Sequence, residues 1–445
     1  MATSSIPSTA EPPDPRPQRP LVYYGYWILA AAFVAQFVAV GSQSYVAGVF
    51  FKPMAEELDW TRVEYTYAQT LGRFVMAFAG FFIGVYVDRF GGRVMMMIGV
   101  TVLGAALFLT SGVTELWQWV LMQGAIFAIG AALMGNLVVN VTLSKWFVEK
   151  RGRVVAVAAT GISLSGILLP PVMTIFIDEF GWRAGWRALA IGAWVLVYPV
   201  AMLMRRQPED YGLYPDGKSA EEVAAGEGAM AEADYANSLT RREALRTPTL
   251  YLIVLSFGLG GVALGTLLLQ TIPYLTDEGF SRRSAALMMS SFSFMSASAK
   301  PLWGYVIDRR EVRNLASLSF AGAAVAVVLI VVGATSGSVV VVTGAYMLAG
   351  LSYSGNIPLQ EVLWASYFGR RYLGAVRSVA LPFALVLGAG GPLTVSYYFD
   401  VVGNYHGAFV AVAGLSLLAA LLLLLVRRPA KSIAPGPPAV AGRGP

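Results

Sequence analysis

The chain contains no cysteine and a single histidine, His406. Disulfides, thiolate chemistry and cysteine-built metal sites are therefore excluded, and a histidine-built site has no second imidazole to draw on. The expectation is no metal and no cofactor. A Ser–His–Asp arrangement is unavailable too, because the one imidazole falls in the loop before the last apolar segment. Charge is also scarce. Asp, Glu, Lys and Arg make up 13% of the 445 residues and hydrophobic residues 56%, whereas a soluble domain is roughly a quarter charged. Such a chain lacks the polar surface needed to face water. Its net charge of +6 would suit nucleic acid, but the cations sit in short loops between apolar runs, so no nucleic-acid partner is expected. The Pro-rich first 20 residues show no positive-then-apolar cleavage pattern, so no removable leader is expected.

What the chain does have is apolar runs, at about 26–50, 64–87, 94–113, 116–143, 154–177, 186–204, 249–272, 284–307, 315–333, 339–364, 375–399 and 407–426. Each is close to the length, about 20 residues, that crosses a bilayer as a helix. The 47 glycines and 23 prolines would weaken soluble helices. In a membrane Gly permits close helix contact, and neighbouring helices satisfy freed backbone groups. The predicted fold is an all-α integral membrane protein, a monomer in the lipid bilayer, with twelve transmembrane helices in two pseudo-symmetric six-helix bundles. The bundles are placed at 22–204 and 249–427, joined by a polar linker at 205–248 with a short helix around Thr240–Arg246. Disordered tails are expected at 1–21 and 428–445. With the N-terminus inside, 24 of the 32 Lys and Arg fall on cytoplasmic segments, six fall outside, and two, Arg73 and Lys300, lie within spans. That bias predicts a multi-pass protein of the cell membrane with both termini cytoplasmic.

The two halves echo each other. Gly84-Val-Tyr-Val-Asp88-Arg89-Phe-Gly-Gly92-Arg93 follows the second run and Gly304-Tyr-Val-Ile-Asp308-Arg309-Arg310 follows the eighth, with glycine and Asp-Arg offset by 220 residues. Duplication of this kind is expected of a transporter whose two bundles rock against each other. The first segment resembles the loop motif of the major facilitator superfamily, and the second is its degenerate copy. The resemblance implies that Gly84, Asp88, Arg89, Arg93, Gly304, Asp308 and Arg309 are conformational machinery. Three further stretches are similar to the monocarboxylate-transporter-like branch, which includes bacterial oxalate/formate-type antiporters. They are Tyr24-Gly25-Tyr26-Trp27, Trp146-Phe147-Val-Glu-Lys150-Arg151-Gly152 and Gly181-Trp182-Arg183. Arg206-Gln-Pro208-Glu209-Asp210-Tyr-Gly212 and Tyr367-Phe368-Gly369-Arg370-Arg371 look like bacterial members.

The two cations inside apolar runs carry the strongest chemical signal. An ionised side chain at mid-bilayer costs about 2.5–3.5 kcal/mol on an insertion scale, so such residues usually face an aqueous cavity. Lys300 stands about 12 Å up its helix from Asp308, and Arg73 about 22 Å up from Asp88. Through the 220-residue offset Lys300 maps to Gly80, nearly two turns from Arg73, so both cations occupy one face of pseudo-equivalent helices. Two inward cations on opposite halves predict an anion clamp. Lys300-Pro301-Leu-Trp-Gly304 also resembles the R-P-x-x-G stretch of monocarboxylate transporters, which implies a substrate-carboxylate role for Lys300. The same resemblance sets Ser296 where the animal proteins carry an acidic residue and Tyr45 where they carry a lysine. Neutral polar residues complete the expected pocket: Gln43 and Tyr45, Asn136 and Asn140, Gln270 and Tyr274, Tyr353 and Asn356. Glu361 is the candidate for proton coupling, weighed against a gate or a structural pair. The expected activity is secondary active transport of a small mono- or dicarboxylate, by proton symport or exchange for a counter-anion, rather than enzyme catalysis. The alternative is an exporter of hydrophobic or cationic compounds.

Overall fold

The computed structural model describes residues 22–227 and 229–429, and all regular structure among them is helical. The predicted tail at 1–21, and 430–445 of the tail predicted from 428, lie outside the described residues. The first pass is α1 (Gly25–Ser44) continued, after a break at Tyr45 and Val46, by α2 (Ala47–Leu58). α3 (Arg62–Thr110) holds two passes. As one straight rod its 49 residues would span about 70 Å, more than twice a bilayer's hydrocarbon core. Gly91, at φ 80° and ψ 170°, supplies the turn in a backbone region essentially reserved for glycine.

The fourth pass shows that α3 doubles back there. It comprises α4 (Leu116–Trp119), a π-helical stretch (Val120–Phe127), α5 (Ala128–Met134) and, beyond Gly135, α6 (Asn136–Trp146). Gly124 and Gly130 are near neighbours on this pass. Gly124 packs against Ala68 and Leu71, and Gly130 against the Leu103 backbone, on opposite sides of the Gly91 turn. α7 (Arg151–Leu203) folds the same way at Gly181, where a Cβ on Gly185 would lie 3.1 Å from Ile177 across the turn.

The linker carries α8 (Ala220–Glu222), α9 (Ala229–Ala236) and α10 (Arg241–Ala244), the last opened by a Thr240–Glu243 capping box. The second half is α11 (Pro248–Asp277), α12 (Arg282–Ile307), α13 (Val312–Thr335), α14 (Val339–Ser354) meeting α15 (Asn356–Phe368) at Gly355, α16 (Leu373–Arg377) leading into α17 (Ala380–Val402), and α18 (His406–Leu425). Together these make twelve passes in two bundles. Among the described residues seven helices are long and apolar enough to cross a membrane by length and composition, α3 and α7 counting once each. The α12 pass is diluted by serines and Lys300, and the tenth pass is divided at Gly355.

One end of the molecule, the termini face, carries the linker and both ends of the described residues. The linker lies across both bundles there: Asp234 pairs with Arg151 of α7, Glu209 with Arg370 beyond α15, and Leu239 N–H donates to the Phe368 carbonyl. Arg206 in turn holds the Asp210 carboxyl below its ordinary value.

Substituting Gly91 tests the turn. Gly91→Ala forces an L-residue into the strained region and brings its Cβ against Arg206, at a cost of about 1–3 kcal/mol. In a thermal-unfolding assay of detergent-purified protein it should melt earlier. Gly192→Ala, at a helical position with open space around it, should melt no earlier than the parent.

Candidate functional site

A cavity of about 870 Å³ opens between the bundles. Its walls are stripes at three- and four-residue spacing, the signature of one helix face. α3 contributes Gln69, Arg73, Met76 and Gly80, the fourth pass Trp119, Gln123, Phe127 and Asn136, and α1 Ala39 and Gln43. The opposite bundle supplies Arg377 and Leu381. Gly48, Gln69 and Trp119 lie near the loops of the far face, so the cavity runs from there down to a floor at Asn136, Leu137 and Arg377. Arg73 is exposed to this space and has no ion-pair partner among the described residues.

The floor is a chain of buried polar groups joining the bundles. Gln36 Nε2 donates to Asn140 Oδ1 at 3.0 Å, and Asn140 Nδ2 donates to Glu361 Oε1 at 3.1 Å. Glu361 pairs with Arg377, their side chains 1% and 9% exposed. Arg377 Nη1, Asn136 Oδ1 and Glu361 Oε2 have no hydrogen-bond partner. In the sequence Arg377 reads as one more loop cation and does not announce itself as a site residue. α16 is too short to register as a span, and the one signal was an arginine a few residues inside an apolar run.

Lys300 stands elsewhere. It is 8% exposed in the seam between α12 and α7, where it donates to the Ala159 carbonyl at 3.2 Å and to the Ser163 hydroxyl. It is neither in contact with an acidic side chain nor among the cavity-lining residues. Of the eight residues assigned to substrate from sequence, Arg73 and Asn136 line the cavity. Tyr45 packs over Gly166 of α7, and Tyr353 is buried between Phe292 and Phe320. Gln270, Ser296 and Asn356 are half-buried within the second bundle. Asn140 belongs to the floor and Gln43 to the wall.

At the termini face the repeated motif builds two matching contacts. Asp88 accepts from Lys145 Nζ at 2.6 Å and from the Ala375 N–H at 2.9 Å. Asp308 accepts from the Gly152 N–H at 2.6 Å and from Arg153 Nε at 2.7 Å. Each carboxylate thus takes a backbone N–H near the start of a helix in the other bundle, where the helix dipole favours negative charge. The glycines one turn before them make the approach possible. A Cβ on Gly84 would collide with the Gly374 carbonyl oxygen, and one on Gly304 would sit 3.0 Å from Arg153 Cα. The cation that pairs with Asp88 is Lys145, from the same bundle. Arg89 and Arg309 instead lie over Phe90 and Tyr305, and Arg93 is exposed.

Comparison with known proteins agrees with this architecture. The chain is 24% identical to human monocarboxylate transporter 11 (Homo sapiens) over 97% of this chain and 88% of that protein. It is 25% identical to monocarboxylate transporter 3 of Rattus norvegicus, over 94% and 84%. It is also 23% identical to the agnestins efflux protein AgnL12 of Paecilomyces divaricatus, over 96% and 92%. The solved structure of the proton:xylose symporter XylE bound to 6-bromo-6-deoxy-D-glucose superposes with a TM-score of 0.72 at 13% identity, covering 91% of this chain and 96% of that one. The profile described as Major Facilitator Superfamily matches residues 32–392 and again 261–443. With its twelve passes, its duplicated Asp-Arg segment and this match, the chain belongs to the major facilitator superfamily as a monocarboxylate-transporter-like membrane transporter, not an enzyme.

Proposed function

We propose that the protein carries a small organic anion, a mono- or dicarboxylate, across the cell membrane by alternating access. One observation carries the reading: Arg73 and Arg377, from opposite bundles, both line the central cavity, and no Asp or Glu among the described residues lines it with them. A carboxylate is the natural complement of two guanidinium groups, each able to bind it through two parallel hydrogen bonds. Gln43, Gln69, Gln123 and Asn136 offer neutral partners for a second polar end, and Met76, Trp119 and Phe127 supply apolar wall. The relatives named monocarboxylate transporters support this substrate class. An exporter of cationic compounds would need a cavity of the opposite sign, and an exporter of neutral hydrophobic compounds, the reading that the efflux relative supports, would leave both arginines without a complement.

The excess of Lys and Arg in the segments of the termini face supports a cytoplasmic side for both termini. The Asp88 and Asp308 contacts then form a cytoplasmic gate, closed here while the cavity is open outward. In the opposite state α7 parts from α12, and Lys300 loses its Ala159 and Ser163 acceptors and turns to the cavity. Lys300 is thus a third anion-binding cation, reserved for the inward-facing side. The proton or a counter-anion is the coupling partner.

Two measurements test this. A thermal-shift screen of the purified protein against mono- and dicarboxylates should find stabilising ligands, since a ligand that binds the folded state raises stability by mass action. In Arg73→Gln the same ligands should bind at least tenfold more weakly, given about 1.5–3 kcal/mol for a charged hydrogen bond. Stabilisation by lipophilic cations and by no carboxylate would reverse the assignment. For the gate, the cysteine-free sequence allows spin labels at Arg93→Cys and Arg310→Cys without background. Adding Asp88→Asn and Asp308→Asn should lengthen the mean distance between the labels. An unchanged distance distribution would take the gating role away from these carboxylates.

A further inference from the structure

The floor of the cavity contains a charge arrangement that the proposed function does not yet use. Arg377 reaches two places at once. Through Nη2 it holds Glu361, and Glu361 holds Asn140 of the other bundle, with Gln36 bonded behind it. Its other nitrogen, Nη1, has no partner, and the residue lines the cavity. One guanidinium therefore stands between the substrate space and the link that ties the two bundles together. On the far side of that link Glu361 Oε2 is also without a partner.

Other charges do not reach this group. On the elements packed against α15, Lys145 is taken by Asp88, Arg151 by Asp234, and Arg153 by Asp308. Lys300 is bonded to Ala159 and Ser163, and Arg313 donates to the Val426 carbonyl. Asp178, Glu179, Arg183 and Arg187 of α7 cluster about the Gly181 turn at the far face. Among the described residues Arg377 is the single counter-charge of Glu361. Arg73 is a different case, because it is exposed to the open cavity rather than buried in the floor.

Resting on the carboxylate reading, we propose that Glu361 and Arg377 form the coupling site: the incoming carboxylate replaces Glu361 as the partner of Arg377, and Glu361 takes up one proton as it is displaced. The step is balanced. The hydrogen bond from Arg377 Nη2 to Glu361 Oε1 breaks, bonds from the guanidinium to the substrate oxygens form, and a proton taken up from the bulk solution adds to Glu361, with no hydroxide left behind. The buried floor begins as one cation with one anion. It ends as one cation, one substrate anion and one neutral carboxyl. A buried unpaired charge is disfavoured strongly enough that the floor cannot hold two carboxylates against one arginine. Neutral Glu361 is also a weaker acceptor for Asn140, so the same proton loosens the link between the bundles. Binding, protonation and release of the floor become one event, with one proton moving with each carboxylate group that docks on Arg377.

The test is proton uptake on binding. Purified wild-type protein in weakly buffered detergent solution, mixed with a monocarboxylate that stabilises it, should take up close to one proton per carboxylate bound, read with a pH-indicator dye. Its apparent affinity should fall as pH rises, by up to tenfold per unit for a single linked proton. Glu361→Gln should abolish the uptake and flatten the pH dependence. Arg377→Gln should weaken binding at least tenfold at every pH. Carboxylate binding by the wild type without proton uptake overturns the inference while leaving carboxylate transport standing, and points to exchange. Uptake that persists in Glu361→Gln moves the proton to another group and overturns it too. If the wild type binds no carboxylate, the function proposed above falls and this inference falls with it. The wild-type measurement needs no variant, so a failure of Glu361→Gln to fold leaves the question decidable.

Discussion

A charge buried inside a membrane protein must find a partner, and here the partners are found across the gap between bundles. Asp88 reaches the Ala375 N–H, Asp308 reaches Gly152 and Arg153, Glu361 reaches Asn140, and Lys300 reaches Ala159 and Ser163. In each case one partner belongs to the first six passes and the other to the last six. Breaking one side of such a contact strands a polar group in a low-dielectric interior, which costs more than the contact is worth by itself. The bundles are thus held together by a few contacts that are costly to leave half made. Contacts of this kind favour two discrete states over a continuum of loosened ones.

Close approach is the condition for those contacts, and glycine supplies it. Gly84 meets Gly374 and Gly304 meets Gly152 with no room for a methyl group between the backbones. The carboxylates one turn later then lie within reach of backbone N–H groups near the helix starts opposite. The two contacts are related by the internal repeat, yet their cations differ: Lys145 serves Asp88 from the same bundle, and Arg153 serves Asp308 from the other. This asymmetry extends to the middle of the molecule. Gly80 lines the cavity, whereas its pseudo-equivalent Lys300 lies in the seam.

Much of the architecture is legible in residue order alone. The apolar runs, the 220-residue echo and the distribution of Lys and Arg determine the membrane fold and its division into halves. The reason is that bilayer thickness dictates span length and a duplicated segment must fold twice in the same way. Arg73 stands out because an arginine inside an apolar run has few other places to go. Arg377 does not stand out, since at the end of the five-residue α16 it reads as the last cation of a basic loop. Glu361 reads as a residue near a helix end, and its depth appears once α15 and α6 are packed together.

The sequence by itself determined that the fold is a helical membrane fold, that it comprises two halves of six passes, and which segments repeat. These follow from local composition and the thickness of a bilayer. Tertiary structure alone decided which polar residues share a space. It brought Arg377 into the cavity with Arg73, turned Lys300 into the α7–α12 seam, and joined Gln36, Asn140, Glu361 and Arg377 into one chain. Helix rotation and the approach of two bundles set those neighbours, and no periodicity within a single helix records what will stand opposite it.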